Sequence, residues 1–245
     1  MDSNKKIYLT FDMDWVCNEL MDFLYDLLEE YGLTATIHIT NHFDSLDKFK
    51  KNKKIKLGIH PNFNVLVDGN TENEIKDKKS IIEQCKHIVP DAVIARSHSL
   101  LSSTPITKSL YDYGIRYELN CYIKPYKGIC VYPWFLQNVL QVPFFYEDDL
   151  YLMENCTNNP AFYLDHEIKM YKIFNFHPIH LFLNSETLER YVRIKKNYHD
   201  FLVLKKNVNT SSYGTLDFFR ELIETAKAQG YQFGEITEIA GEYDK

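Results

Sequence analysis

The chain has 245 residues, a formal net charge of −6, and 45% hydrophobic and 25% charged residues. This composition is ordinary for a globular protein, and the length suits one large domain or two small ones. The negative charge argues against nucleic acid as a partner, because binding to phosphates requires clustered Lys and Arg. No apolar run reaches the ~18 residues of a membrane-spanning helix, so we expect no membrane span.

The predicted elements alternate between strands and helices. Alternating strands and helices indicate βα units, a mostly parallel sheet and helices outside it. About seven such units without a linker favour one α/β domain, residues 1–245, folded as a barrel or near-barrel. In chain order, apolar periodicity and the turn residues Gly and Pro predict strand 7–12, helix 18–31, strands 34–40 and 55–60, helix 72–88, strand 92–96, helix 105–113, strands 116–121, 140–142 and 170–177, helices 185–206 and 216–229, and strand 231–235.

Two segments are rich in positive charge. Residues 44–56 contain six lysines, and we interpret them as a solvated face or loop rather than as a site that recruits an anionic substrate. Arg190, Arg193 and Lys195 of the predicted late helix receive the same interpretation, in preference to phosphate binding.

The five cysteines are scattered and include no C-x-x-C pair. This pattern argues against a disulfide scaffold and against a structural zinc module. Their odd number favours a reducing compartment. The first residues, MDSNKK, contain no apolar segment typical of a signal peptide, so we expect a cytoplasmic protein.

Polar side chains follow several predicted strands at the points where those strands end. In a parallel α/β barrel the ligand site lies at the carboxyl ends of the strands, so we expect these side chains to meet. They are Asp12, Asp14, His60, Arg96, His98, His177 and His180.

The spacing of these residues supports a shared site. Asp12 and Asp14 lie two residues apart and therefore on one face of the first strand. His60 and His177 both precede proline, which favours an extended backbone before it and cannot donate to a sheet. Each imidazole is thus expected at the point where its strand stops.

The motifs occur in an order that resembles the polysaccharide deacetylase (NodB-homology) superfamily, carbohydrate esterase family 4. The resemblance is greatest to its members from O-antigen and surface-polysaccharide clusters. It implies a distorted (β/α)7 barrel. The segments that carry it are LTFDMDW, TATIHIT, LGIHPNFN, ARSHS and NFHPIH.

The resemblance also implies a role for each motif. Asp12 is the candidate general base, and Arg96 would orient it and keep it ionised. Asp14 and His60 are candidate ligands of a divalent metal ion, for which we expect zinc. His177 is the candidate general acid.

The third metal ligand departs from the family's pattern. The resemblance implies a histidine four residues after His60, but Asn64 stands there. Catalytic zinc usually has three protein ligands, and an amide oxygen is a poorer ligand than imidazole. Asn64 and His98 are both kept as candidates, and His42 is a further alternative. His38 is interpreted as structural.

Residues 134–149 are a candidate for binding sugar. The aromatic side chains there, Trp134 among them, could form the wall of a pocket, and Glu147, Asp148 or Asp149 could contact hydroxyl groups. A strand followed by an acidic loop explains the segment equally well. His180, just beyond His177, is added as a candidate substrate contact.

These observations predict a metal-dependent hydrolase that removes an acetyl or formyl group from an amino sugar. A cytoplasmic location suits a nucleotide-linked or lipid-linked precursor better than a finished polymer. One alternative is a non-catalytic carbohydrate-binding barrel that has lost its third ligand. The other is a phosphoesterase, which often needs two metal ions and more bridging ligands than the sequence offers.

Overall fold

The computed structural model describes residues 5–67, 77–154 and 157–243. Its strands are β1 (Lys6–Asp12), β2 (Ala35–Ile39), β3 (Ile55–Ile59), β4 (Ile94–Ala95), β5 (Tyr117–Glu118), β6 (Trp134–Leu136), β7 (Val139–Gln141), β8 (Tyr146–Glu147), β9 (Lys172–Phe176) and β10 (Gln232–Phe233). Its α-helices are α1 (Asn18–Tyr31), α2 (Leu46–Lys51), α3 (Lys78–Ile88), α4 (Thr104–Asp112), α5 (Asp148–Glu154), α6 (Pro160–Leu164), α7 (Pro178–Leu183), α8 (Leu188–Ile194), α9 (Phe201–Lys206) and α10 (Thr215–Ala228). Short 3₁₀ helices occupy Asn64–Leu66, His98–Leu100, Lys195–Asn197 and Ile236–Glu242.

The strands form one sheet in the order β6-β7-β5-β4-β3-β2-β1-β9-β8, with β10 also paired to β1. Every pairing is parallel except that between β6 and β7, which form an antiparallel hairpin. The mostly parallel arrangement confirms the prediction made from the alternating elements. β1 lies in the middle of the sheet, between β2 and β9.

The sheet curls into a distorted barrel, which confirms the predicted fold class. β7 and β8 lie near opposite ends of the sheet order, yet only residues 142–145 separate them in the chain. Within that segment Phe144 forms a parallel bridge to Tyr122, just beyond β5. If β7 and β8 are counted as one interrupted strand, and β6 and β10 are left out because each pairs with a single strand, the ring has seven strands.

Buried apolar residues on both sides of the strands hold this arrangement together. β1 is buried from Ile7 to Asp12, as expected of a central strand covered on both faces. On the helical side, Tyr146 of β8 stacks on Phe218 of α10 with ring centroids 4.8 Å apart. α10 in turn packs against α6 and α7. α1 ends at Gly32, whose left-handed φ of 64° is readily available to glycine.

The lysine-rich segment has a solvated face, and the predicted late helix is divided. Residues 44–56 contain α2, whose Leu46 and Phe49 are buried while most of the lysines are exposed. The predicted helix 185–206 is two helices, α8 and α9. Asp200 begins the second by accepting hydrogen bonds from the backbone N–H groups of Leu202 and Val203, so the chain turns between them.

Other differences concern length. The predicted helix 72–88 begins at Lys78 in the structure, and residues 72–76 lie outside the described residues. The predicted strands at 92–96 and 116–121 shrink to two residues each. No helix in the described part of the chain has both the length and the apolar character needed to cross a membrane.

Candidate active site

The register of the parallel strands brings the predicted site residues to one edge of the barrel. The residue before Asp12 pairs with the residue before His177, and the residue before His60 pairs with the residue before Arg96. His177 is also the residue that precedes α7, whose first residue is proline. Asp12, Asp14, His60, His98, Glu147, Asp149 and His177 all contribute to the wall of one cavity, together with Trp15 and Ser97–Leu100.

Asp12 is buried and has a hydrogen-bond partner at each carboxylate oxygen. His38 Nδ1 lies 2.8 Å from Oδ1, and the Asn175 side-chain amide donates to Oδ2 at 2.8 Å. The Arg96 guanidinium reaches Oδ1 at 3.3 Å. Burial alone would raise the pKa of Asp12, but the charges of Arg96 and His60 and the bond to His38 hold it well below its usual value. Asp12 is therefore ionised.

Arg96 is fully buried and fixed at several points. It donates to the Thr10 hydroxyl at 2.9 Å, to the Leu119 carbonyl at 2.9 Å and to the Asn175 side-chain oxygen. Its guanidinium also lies 4.3 Å from the centroid of the Phe144 ring. A buried charge held in this way has little freedom, so Arg96 acts as a rigid counter-charge to Asp12.

His38, on the strand next to Asp12, was interpreted as structural and proves to be the partner of that carboxylate. Burial lowers the pKa of His38 to about 4, so the neutral ring donates its Nδ1–H to Asp12. The ring fits because Gly58 lies opposite on β3. A Cβ at position 58 would lie 2.8 Å from His38 Cδ2 and 2.9 Å from the Ile94 carbonyl oxygen, closer than packing allows.

Asp14, His60 and His98 form a second group at the same edge. Both His60 Nε2 and His98 Nδ1 lie 2.9 Å from Asp14 Oδ2. Burial opposes ionisation of Asp14, but the two imidazoles hold its pKa below its usual range. The structure therefore brings together two of the predicted metal ligands and His98, the alternative third.

These three residues fit a divalent metal ion. One carboxylate and two imidazoles are a donor set typical of catalytic zinc, and their ligand atoms lie within 4.8 Å of one another. The ring nitrogens of His60 and His98 both point at the same oxygen of Asp14. A metal ion between the three side chains could bind all three of these atoms. Nδ1 of His60 is buried without a hydrogen-bond partner in the described ranges and lies 3.7 Å from Asp12 Oδ1, so that side of the ring faces the candidate base.

Asn64 does not line this cavity. Its amide donates to the Ser99 hydroxyl at 3.0 Å, in the loop that carries His98. Ser99 and Leu100 of that loop have left-handed φ values of 55° and 56°, which are costly for residues other than glycine. The His98 backbone N–H also bonds to the Pro61 carbonyl at 3.0 Å. Asn64 thus helps to hold the loop in the conformation that brings His98 to Asp14.

His177 is paired with Asp148, the first residue of α5. Its Nδ1 lies 2.7 Å from Asp148 Oδ1, and its backbone N–H donates to Oδ2 at 2.7 Å. Burial would lower the pKa of His177, but Asp149 and Asp148 raise it well above its usual value. The ring is therefore protonated. Asp148 is fully buried, which places it behind His177 and away from the surface of the cavity.

Asp149, one of the three acidic residues predicted as sugar contacts, lines the cavity. Its Oδ1 lies 2.6 Å from His180 Nε2, and the other nitrogen of His180 lies 3.0 Å from the Ser185 hydroxyl. His180 itself is fully buried. Of the acidic residues 147–149, Glu147 and Asp149 line the cavity.

Among the aromatic residues, Trp15 rather than Trp134 lies at the cavity. Trp134 is on β6, is 41% exposed and is not brought to the other site residues. The Trp15 ring centroid lies 5.6 Å from that of His98 and 6.4 Å from that of His177. Lys195 lies over the same ring at 4.5 Å. The position of Trp15 directly after Asp14 was the available signal.

Asn175 was also missed, although its position carried a signal. It lies two residues before His177 on β9 and therefore on the same face of the strand. A polar residue at that position in a buried strand needs a polar partner. The Asn175 side-chain amide donates to Asp12, and its oxygen accepts a hydrogen bond from Arg96.

Comparison with known proteins identifies a family that this chain resembles. A family model described as WbmS-like polysaccharide deacetylase matches residues 9–195. The crystal structure of a Bordetella bronchiseptica protein, described as a candidate polysaccharide deacetylase involved in O-antigen biosynthesis, shares 29% sequence identity. It superposes with a TM-score of 0.82 over 91% of each chain. The chain has no match among curated protein sequences.

More distant structures share the fold alone. A family 4 carbohydrate esterase from Streptomyces lividans gives a TM-score of 0.54 at 10% identity, over 96% of this chain and 94% of that one. A 4-alpha-glucanotransferase from Thermococcus litoralis gives the same TM-score at 12% identity, over 99% of this chain and 39% of that one. Because an esterase and a transferase match equally well, fold likeness at this level does not select a reaction.

Proposed function

Since the chain belongs to the WbmS-like polysaccharide deacetylase family, we propose that it is a metal-dependent hydrolase that removes an N-acyl group, acetyl or formyl, from an amino sugar of surface-polysaccharide biosynthesis. One observation carries the proposal. One cavity is lined by a carboxylate with two imidazoles, by the carboxylate that Arg96 holds from behind, and by the imidazole that Asp148 holds from behind. These are the parts that hydrolysis of an amide requires.

The proposed substrate is a nucleotide-linked or lipid-linked sugar in the cytoplasm. The four cysteines that the structure describes, Cys17, Cys85, Cys121 and Cys130, are free, which supports a reducing compartment. We also propose that residues 1–245 form one domain, because strands from Lys6 to Phe233 join a single sheet.

Asp14, His60 and His98 would hold the metal ion, and zinc suits this donor set. When bound, the ion would increase the acidity of a water molecule and polarise the acyl carbonyl. The proximity of His98 to Asp14 supports a catalytic site over a non-catalytic barrel, because it supplies the ligand that Asn64 does not. Zinc identity rests on the ligand types alone.

Asp12 would accept the proton of the attacking water. Its carboxylate is held ionised by Arg96 and oriented by His38 and Asn175. A carboxylate with a lowered pKa is a weak base, so it can work only on a water that has already become acidic. Arg96 and His38 do not contact the water in this scheme and act by fixing the position and charge of Asp12.

His177 would deliver a proton to the leaving nitrogen. The Asp148 carboxylate accepts the Nδ1–H, which leaves Nε2 as the donor that faces the cavity. Protonation converts a poor leaving group into a neutral amine, while the bond between carbon and nitrogen breaks and its electron pair stays on nitrogen. Trp15, beside both His98 and His177, would exclude water from this part of the cavity.

The test is an assay of acetate and formate release from a panel of N-acyl nucleotide sugars. We expect release that stops with a chelator and returns when Zn²⁺ is added, with about one metal ion per chain by elemental analysis. Asp14→Ala should lose both the metal and the activity. An Asp14→Ala protein without metal but with full activity would refute the metal assignment.

A further inference from the structure

Glu147 and Asp149 face His177 across the cavity, and the roles proposed above leave both carboxylates unused. One oxygen of each carboxylate and one ring nitrogen of His177 lie within 4.8 Å of one another. The same cavity wall contains the metal-ligand candidate Asp14 and the candidate base Asp12. The three side chains therefore border the space where the substrate would react.

Glu147 has an oxygen that lacks a partner. Its Oε2 is buried and accepts no hydrogen bond from any residue that the structure describes. An unpaired buried carboxylate oxygen is costly, and burial raises the pKa of Glu147 to about 7. A bound group that carries N–H donors and positive charge would supply what the side chain lacks.

Asp149 is held in place from behind. His180 Nε2 lies 2.6 Å from Oδ1, and Ser185 fixes the other side of that ring. Burial opposes ionisation, but His177 and His180 hold the pKa of Asp149 below its usual range. Its Oδ2 lies 3.9 Å from His177 Nε2, which is too long for a hydrogen bond and leaves room for an atom between them.

The size of this gap suits a nitrogen atom. Because the three ligand atoms lie within 4.8 Å of one another, a nitrogen placed among them can lie at a hydrogen-bond distance of about 2.8 Å from each. Tetrahedral zinc holds its ligands at about 2.1 Å, which places neighbouring ligand atoms about 3.4 Å apart. His177 and Asp149 are farther apart than that, at 3.9 Å.

We propose that Glu147, Asp149 and His177 form a subsite for the reacting nitrogen, which binds the amide N–H of the substrate and the amine of the product. This proposal rests on the proposed function and extends it. Glu147 and Asp149 would be catalytic residues that contact the nitrogen, and His180 a positioning residue behind Asp149.

The subsite would act when the nitrogen becomes positively charged. After water has added to the carbonyl, His177 transfers its proton to the nitrogen, which then carries two hydrogens and a positive charge. The carboxylates of Glu147 and Asp149 accept hydrogen bonds from it while the bond to carbon breaks, and the electron pair of that bond neutralises the nitrogen. Because this charge is absent from the bound substrate, the interaction lowers the barrier rather than only tightening binding.

The same groups would select amides over esters. An ester oxygen has no hydrogen to donate, so Oε2 of Glu147 would remain unpaired beside it, and the carboxylates of Glu147 and Asp149 would repel its lone pairs. The site is therefore inferred to act on N-acyl and not on O-acyl groups of a sugar.

Glu147→Gln and Asp149→Asn test the subsite, because each keeps the shape of the side chain and removes its charge. With Zn²⁺-loaded protein, we expect each change to lower kcat/KM for deacetylation of UDP-N-acetylglucosamine by about 10²-fold. Hydrolysis of 4-nitrophenyl acetate should change much less. Glu167→Gln is the matched control, because Glu167 lies on the surface beside Lys127 and should leave both rates unchanged.

A binding experiment makes the result independent of turnover. By calorimetry, glucosamine should bind the wild-type Zn²⁺ protein at least about tenfold more tightly than glucose, and this preference should vanish in Asp149→Asn. Equal binding of the two sugars by the wild type would overturn the subsite. Preference for glucosamine without acyl release from any N-acyl sugar would instead overturn the proposed function alone. Two metal ions per chain, reduced to one in Asp149→Asn, would assign the three residues to a second metal.

Discussion

The pairing of Asp148 with His177 predicts a specific change in pH dependence when the charge of Asp148 is removed. Asp148 Oδ1 lies 2.7 Å from His177 Nδ1, and the pair is buried. A hydrogen bond to a charged group contributes about 1.5–3 kcal/mol, and one pKa unit corresponds to about 1.36 kcal/mol. Asp148→Asn should therefore lower the pKa of His177 by about one to two units, while Asp149 continues to support it.

The assay is the pH profile of kcat/KM for acyl release. His177 must be protonated to donate, so activity falls as the pH rises through its pKa. In Asp148→Asn this alkaline limb should move to lower pH by about one to two units. Retained activity with an unmoved limb would refute the assignment of His177 as the acid that Asp148 supports.

The free energy of unfolding should depend on pH through the same protonation of His177. Because the pKa of His177 is raised on folding above its ordinary 6.5, its contribution to stability is full below about pH 6.5 and is lost as the pH rises through the folded value. The stability difference between wild type and Asp148→Asn should shrink over that range. Glu118→Gln is the matched control, since Glu118 is equally buried but accepts hydrogen bonds from neutral groups such as Thr107 and Gln141. It should lose stability without moving the alkaline limb.

Three further predictions concern the base, the metal and the sheet. Asp12→Asn should keep the metal, measured by elemental analysis, and lose about 10²–10⁴-fold in kcat; unchanged turnover would remove Asp12 as the base. His98→Ala should weaken metal affinity more than Asn64→Ala does. For Asn64→Ala we expect a loss of metal affinity of about 10–100-fold, measured in competition with a chromophoric chelator. The reverse order would make Asn64 the ligand. Gly58→Ala should cost about 1–3 kcal/mol in denaturant unfolding, because its new methyl group would lie 2.8 Å from a carbon of His38. A neutral effect there would mean that the neighbouring strands can separate.

The sequence predicted the barrel and the edge where its polar residues meet, because both depend on local patterns. Alternation placed Asp12 and Asp14 on one face, and proline after His60 and His177 marked the ends of their strands. The assignment of roles to these residues remains a prediction. What the pattern left open was the choice between Asn64 and His98 as the third metal ligand, since His98 reaches Asp14 through a loop with two left-handed residues.

Other features escaped because their signals are weak or non-local. The hairpin of β6 and β7 turns at Gln137 and Asn138, both with positive φ, and lacks the glycine that usually marks such a turn. The break between α8 and α9 depends on Asp200 as a cap, within a segment whose apolar spacing is continuous with a single helix. The contact of Asn175 with Asp12 joins residues 163 positions apart.

The central place of β1 in the sheet also has a consequence for synthesis. β1 ends at Asp12, two residues before Asp14, and one of its neighbours is β9, which is made some 160 residues later. Pairings so distant in sequence form slowly. In a growing chain, the carboxylates of Asp12 and Asp14 would therefore stay exposed to solvent until residues 172–177 are synthesised and complete the pocket around them.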